Sequence, residues 1–363
     1  MGACGSRDVA RNGDARDPSR WHMDDGSDAS ASADAVARDQ LRSASCEALA
    51  LNTFAAFRHN ELESSGALQH CVTGWEDGSI KLTHWQTASV VKTWTPHSRA
   101  VNRLLVGGQR HLIYSCSRDT TVAITAPEHD TAAPLRLSGH SLNVSSIAVD
   151  DEESTLCSGG RDTQTILWDL ATQQVKARNT TAQNVVTCAK WIPLERVVAQ
   201  GSEDLSVKLW DERTALRAPA QVLRGYVYFP LCLDVSRDGL FLLTSSKGFN
   251  GVGGEVRVWD RRMARQLLQF EGHQQDATAC CFLPAIDDAV SSVPTPVSAS
   301  KDGTIKVWDV MDPPSVVCEE RDAAAEMYTC VASMGGGVVL ASAFGGSVHA
   351  LRFDASARSL ERV

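Results

Sequence analysis

The pair Trp-Asp occurs four times in this chain, at Trp168-Asp169, Trp210-Asp211, Trp259-Asp260 and Trp308-Asp309, in steps of 42, 49 and 49 residues. A period of this length constrains a chain more than local propensity does. Each copy must fold as one small unit that buries its apolar faces against the next copy. The residues before each pair agree with this. Ser158-Gly159-Gly160-Arg161-Asp162 and the strand-like Thr165-Ile166-Leu167 align with Ser298-Ala299-Ser300-Lys301-Asp302 and Thr304-Ile305-Lys306-Val307, and with Gly201-Ser202-Glu203-Asp204 and Ser206-Val207-Lys208-Leu209. Alternating side chains mark a strand, and Lys301-Asp302-Gly303 marks the tight turn before it. Three degenerate copies, at 77–83, 119–125 and 345–351, keep the six-residue step from turn to tryptophan position without the tryptophan. The positions then run 83, 125, 168, 210, 259, 308 and 351.

These units resemble WD repeats, one per propeller blade. The resemblance implies an all-β, seven-bladed WD-repeat β-propeller, in which small antiparallel sheets stack radially and leave only short protected edges. In such repeats a histidine entering the blade, a serine on the second strand, an aspartate in the next turn and the tryptophan form a buried hydrogen-bonded set. The matching residues are His140, Ser158, Asp162 and Trp168, and His273, Ser298, Asp302 and Trp308. His97, Ser115 and Asp119 match without a tryptophan, and Asp204, Trp210 and Trp259 belong to the same structural set. The repeat context therefore makes these His and Asp residues structural, although as pairs they look catalytic.

Loop sequences carry a finer resemblance. Gln183-Asn184-Val185-Val186-Thr187, Trp191-Ile192-Pro193, the run from Lys247 through Phe249 to Gly254, and Cys281-Phe282-Leu283-Pro284 look like the WD repeat-containing protein 31 family. That resemblance implies an association with cilia. Residues 53–67 look like an insertion in the first blade, and 291–295 lengthen the sixth. Two segments, 360–363 and 35–41, compete to supply the last outer strand.

No constellation of nucleophile and base, paired carboxylates or metal ligands stands outside the repeat pattern, so no enzyme, metal, cofactor or small-molecule substrate is expected. The glycine-rich stretch 247–254 leads into a strand, whereas a phosphate-binding loop opens a helix. It reads instead as an extended loop of the fifth blade, on the face that carries Arg118, Arg161, Glu203 and Lys301. Phe249 is its apolar anchor for protein partners. A net charge of -9 gives no basic excess for nucleic acid. The eleven cysteines are scattered singly through apolar runs, apart from the adjacent Cys280 and Cys281, and read as buried thiols in a reducing cytosol.

The N-terminus carries a separate signal. Met1-Gly2-Ala3-Cys4-Gly5-Ser6 satisfies the myristoylation pattern at Gly2 and places Cys4 beside it for palmitoylation. Residues 1–40 are rich in Asp, Ser, Ala and Arg, and are expected to be a disordered, lipidated arm ahead of a propeller at 41–363. The expected protein is a non-catalytic interaction scaffold, cytoplasmic and peripheral on a membrane, at the cilium or its base if the finer resemblance holds. The alternative is a soluble structural subunit of a larger complex.

Overall fold

The computed structural model describes residues 51–57, 70–85, 87, 89–127, 133–179, 184–283, 293–311, 314–321 and 326–362, with the strand alone described for 51–57. Gly2, Cys4 and the 1–40 arm lie outside the described residues. Seven four-stranded antiparallel sheets follow one another along the chain, each running in order from an inner to an outer strand. The chain is a seven-bladed β-propeller. The inner strands are Leu51–Phe57, Val101–Val106, Val144–Val149, Val186–Trp191, Pro230–Val235, Ala277–Phe282 and Tyr328–Gly335. No helix among the described residues is long and apolar enough to cross a membrane.

Each blade is too thin to bury its own faces, so the core is divided among the junctions between blades. One apolar cluster fills each junction. Val72, Ile80 and Leu82 meet Val101 and Ile113 between the first two blades, and Leu156 and Ile166 meet Tyr114 and Val122 between the next two. The pattern continues around the ring to Cys71 and Leu340, where the first blade meets the seventh. The four tryptophans share one role in this packing, since each lies in the junction with the preceding blade.

Two sequence expectations change here. Thr53 to Phe57 is not insertion but most of the inner strand of the first blade, paired with His70–Trp75. Thr53-Phe54-Ala55-Ala56-Phe57 has no alternation of apolar and polar residues to mark it as a strand. The competition for the closing strand is also settled. Ser359–Arg362 pairs with Val348–Asp354 as the outer strand of the seventh blade. Since the first blade already owns four strands, ring closure exchanges no strand and relies on the side-chain packing of its last junction. In the sixth blade, Leu283 N–H donates to Thr295 O at 2.9 Å, closing the base of the lengthened connection.

The fifth-blade stretch is more ordered than a loop. Gly248–Phe249 pairs with Val252–Gly253 as a small hairpin. Its two turn residues, Asn250 and Gly251, have φ of 50° and 77°, the left-handed pair that a two-residue hairpin requires.

Candidate functional site

All seven sheets run in the same sense, so every turn between a second and third strand lies on one face, together with the loops that lead into the inner strands. A recurring backbone bond ties the two sets. Arg118 N–H donates to Ala100 O, Arg161 to Asn143, Glu203 to Val185, Lys247 to Phe229, Lys301 to Asp276 and Phe344 to Met327, all at 2.8–3.0 Å. Arg118, Arg161, Glu203 and Lys301 are thus one structural position repeated around the mouth. Phe344 and Lys247 occupy it as well, which the sequence reading missed because the seventh blade has no Trp-Asp pair and the fifth carries an inserted hairpin.

Beneath this face the third and sixth blades hold complete polar sets. Trp168 Nε1 donates to Ser158 Oγ at 2.8 Å, Ser158 Oγ lies 2.7 Å from His140 Nε2, and His140 Nδ1 lies 3.0 Å from the Asp162 carboxylate. The order of donors follows from chemistry. An indole nitrogen can only donate, so the serine hydroxyl proton goes to Nε2, and Nδ1–H faces Asp162. The sixth blade repeats this with Trp308, Ser298, His273 and Asp302 at 2.8, 2.7 and 3.1 Å. In the second blade His97 meets Asp119 at 3.0 Å and Ser115 at 2.9 Å without a tryptophan. These chains match a hydrolase triad in connectivity, but each serine is fully buried and out of reach of substrate.

Asp302 also accepts from Thr304 N–H, the Thr304 hydroxyl and Gln274 N–H, so one carboxylate holds both the turn and the loop leading into the blade. Burial alone would raise its pKa. Hydrogen bonds from His273 and Thr304 outweigh that and hold it far below the usual carboxylate range. Asp119 is lowered in the same way, with the Thr121 hydroxyl and Ser98 N–H outweighing burial.

The fourth and fifth blades depart from the expected set. Gln200 stands where the third blade has Ser158, and its Oε1 is taken by the Thr165 hydroxyl of the neighbouring blade at 2.8 Å. The Trp210 indole N–H consequently meets no acceptor among the described residues. Asp204, whose turn faces no histidine among the described residues, instead accepts from Ser206 and pairs with Lys208. So Trp210 and Asp204 are not joined in a hydrogen-bonded set. In the fifth blade Thr244 replaces the serine and accepts from Trp259 Nε1 at 3.2 Å, while Tyr226 replaces the histidine and donates to Thr244 at 3.0 Å.

On the face itself Arg118 lies 3.8 Å from Glu76, and Lys301 2.7 Å from Asp276. Arg161 is exposed and Glu203 half-buried. Phe249 is 62% exposed at the tip of the hairpin, with Val252 exposed beside it. The sequence reading named no other apolar residue here, yet Leu142, Leu205, Val227, Met327 and Phe344 are all exposed in turns and loops of this same face. Half of the exposed large hydrophobic residues among the described residues therefore lie on one face. Among the described residues the opposite face has Leu194, Met263 and Met311, and the remainder lie on outer strands.

The central channel also differs from expectation. The sequence reading took the cysteines as scattered buried thiols, but the inner strands of blades two to seven enclose a cavity of about 540 Å³ that brings together Arg103, Lys190, Asp234 and five cysteines. Among the described residues no group of three His, Cys, Asp or Glu side chains is arranged to hold a metal.

Residues 134–169, 174–211 and 264–309 match the WD domain, G-beta repeat family. Each matched segment runs from the outer strand of one blade through three strands of the next, so one sequence repeat clasps two blades. The chain is similar to nuclear distribution protein PAC1-1 of Uncinocarpus reesii, at 25% identity over 57% of this chain and 60% of that protein. It is also similar to the ribosome biogenesis protein WDR12 homolog of Oryza sativa subsp. japonica, at 25% over 66% and 61%. A third similarity is to pre-mRNA-processing factor 19 homolog 2 of Arabidopsis thaliana, at 26% over 54% and 37%. The chain spans about six-tenths of the length of the first curated relatives it matches.

Two measurements test the polar sets. Asp302→Ala removes the acceptor for four donors and is expected to destabilise the propeller by about 1–3 kcal/mol in chemical denaturation. An unchanged midpoint refutes the turn-holding role. The second concerns pH. Burial lowers the pKa of His97 and His140, although their aspartates pull the other way. With folded values below unfolded ones, the stability they contribute is complete above the unfolded value of about 6.5 and is lost as pH falls below it. The denaturation midpoint is expected to drop between about pH 7.5 and 5.5, with a shallower drop for His97→Gln/His140→Gln. Equal slopes would exclude these histidines as the source.

Proposed function

We propose that this seven-bladed WD-repeat propeller is a non-catalytic scaffold that docks proteins on the face bearing the second-to-third-strand turns. The observation that carries this reading is the one-sided distribution of exposed apolar side chains, with Phe249, Val252, Val227 and Phe344 set among the charged turn residues Arg118, Arg161, Glu203 and Lys301. Apolar anchors surrounded by polar groups are how protein interfaces are built, and a rigid ring holds them with little ordering cost. The serine–histidine–aspartate chains are buried structural parts, and a WD40 propeller is typically a non-catalytic scaffold. The relatives carry names from nuclear distribution, ribosome biogenesis and pre-mRNA processing at similar identity. What they share is the repeat, so their likeness supports a docking platform and selects no single pathway.

We further propose that the platform is held at a membrane by lipid on Gly2 and Cys4, within the WD repeat-containing protein 31 family and its ciliary setting that the loop sequences resemble. Magnitudes favour two lipids. One myristoyl chain gives an association constant of only about 10⁴ per molar, too weak for stable residence. Arg7, Arg11, Arg16 and Arg20 add little, because Asp8, Asp14 and Asp17 offset most of their charge.

Phe249→Asp combined with Phe344→Asp is expected to lower partner recovery in pull-downs by about tenfold or more without shifting the melting temperature, since both side chains are exposed. Leu194→Asp on the opposite face serves as the control. Equal recovery by both variants places binding elsewhere. For the anchor, Gly2→Ala is expected to move the protein into the soluble fraction, and Cys4→Ser to leave a weak, rapidly exchanging membrane fraction. Full membrane retention by Gly2→Ala favours the soluble-subunit alternative.

A further inference from the structure

The innermost strands of six blades share one register position, the residue just past a bulge, which is occupied by Arg103, Ser146, Cys188, Cys232, Ala279 and Cys330. Three of these are cysteines, and Cys280 and Cys281 follow Ala279 into the same cavity. Arg103 reaches from the second blade to the fifth, where its Nη2 donates to Leu231 O at 3.0 Å. Among the described residues no carboxylate lies within ion-pair distance of it. Asp234 is engaged elsewhere, by Lys190 at 3.0 Å and by Phe282 N–H at 2.9 Å. A guanidinium always carries its charge, and in a narrow cavity a charge without a counter-ion is costly. The groups around it able to become negative are thiols.

Of these, Cys232 is singled out by geometry. It follows Leu231, the residue that Arg103 grips, and it is only half-buried, so small molecules in the channel can reach it. The Cys232 thiol donates to Cys280 O at 3.8 Å, which brings the two cysteines together, and the Cys280 thiol donates to Leu243 O at 3.8 Å. We propose that the channel is a modification site for hydroperoxides, with Cys232 as the nucleophilic thiolate, Arg103 as its counter-ion and Cys280 as the partner thiol. The Cys232 sulfur attacks the terminal oxygen of the hydroperoxide. An S–O bond forms, the O–O bond breaks, and the departing alkoxide or hydroxide takes a proton from water. The Cys280 sulfur then attacks the Cys232 sulfur, forming S–S and breaking S–O, and the leaving hydroxide departs with the Cys280 proton as water. Two thiols and one hydroperoxide become one disulfide, one alcohol or water, and one water.

The charge balance of the site agrees with this chemistry. The neighbouring Cys280 and the charge of Arg103 outweigh burial and the opposing charge of Asp234 and hold the Cys232 thiol well below its ordinary range, whereas burial pushes Cys116 and Cys157 up to about 12. Cys188, Cys281, Cys330, Lys190 and Asp234 are the other titratable groups facing this space. Of the two fixed charges, Asp234 opposes a thiolate at Cys232 and is itself paired with Lys190.

The test uses the reduced full-length chain, alkylated with iodoacetamide across a pH series and mapped by peptide mass. At about pH 6.5 Cys232 is expected to react at least about tenfold faster than Cys318, a half-buried thiol outside the channel. Arg103→Gln is expected to slow Cys232 about fivefold or more, and Arg103→Lys to keep most of the rate. Should Arg103→Gln fail to fold, the wild-type pH profile and the lysine variant still decide. Hydrogen peroxide is expected to yield a Cys232–Cys280 cross-linked peptide, and in Cys280→Ser a dimedone adduct on Cys232. A Cys232 rate no greater than that of Cys318, or peroxide products confined to other cysteines, overturns the proposal.

Discussion

Everything in this molecule depends on sheets that cannot be buried singly. A four-stranded blade has two apolar faces, and each finds cover only in the next blade, so the core exists as seven junctions instead of one centre. The arrangement tolerates loss at individual positions. Thr83, Thr125 and Leu351 stand where other blades have tryptophan, and the ring still forms because the strands beside them remain apolar. It is less tolerant of an open ring. With no strand exchanged between the first and seventh blades, closure rests on side-chain packing around Cys71 and Leu340.

The buried polar sets have a different task. Apolar packing holds blades together but is indifferent to small shifts, whereas a carboxylate that accepts from a histidine, a threonine and two backbone N–H groups permits one turn geometry. Where the histidine is missing, the turn is held by substitutes. Lys208 takes up Asp204, and Tyr226 takes the histidine position in the fifth blade. The turns that these sets fix are the ones that carry the proposed docking face, so a structural device deep in the blade positions residues that meet solvent above it.

Two surfaces with different chemistry result. The outer rim of one face carries exposed apolar side chains among charged turn residues. The channel encloses about 540 Å³, is lined with thiols, and is crossed by Arg103 from the second blade to the fifth.

The sequence alone determined the repeat, the number of blades and the composition of the complete polar sets, because period and strand alternation are local properties of the chain. His140, Asp162, His273 and Asp302 are legible in this way. Three things were decided only by tertiary structure. The inner strand at Thr53 to Phe57 shows no apolar–polar alternation in the sequence, so only its pairing with His70–Trp75 told it from an insertion. Phe344 and Leu205 join Phe249 on one face only once the ring is closed. The cysteines look scattered because they are about one repeat apart in the chain, and a closed ring converts that separation into adjacency. Cys188, Cys232 and Cys330 fall at one register position on successive or nearby inner strands, opposite an arginine from the other side of the channel.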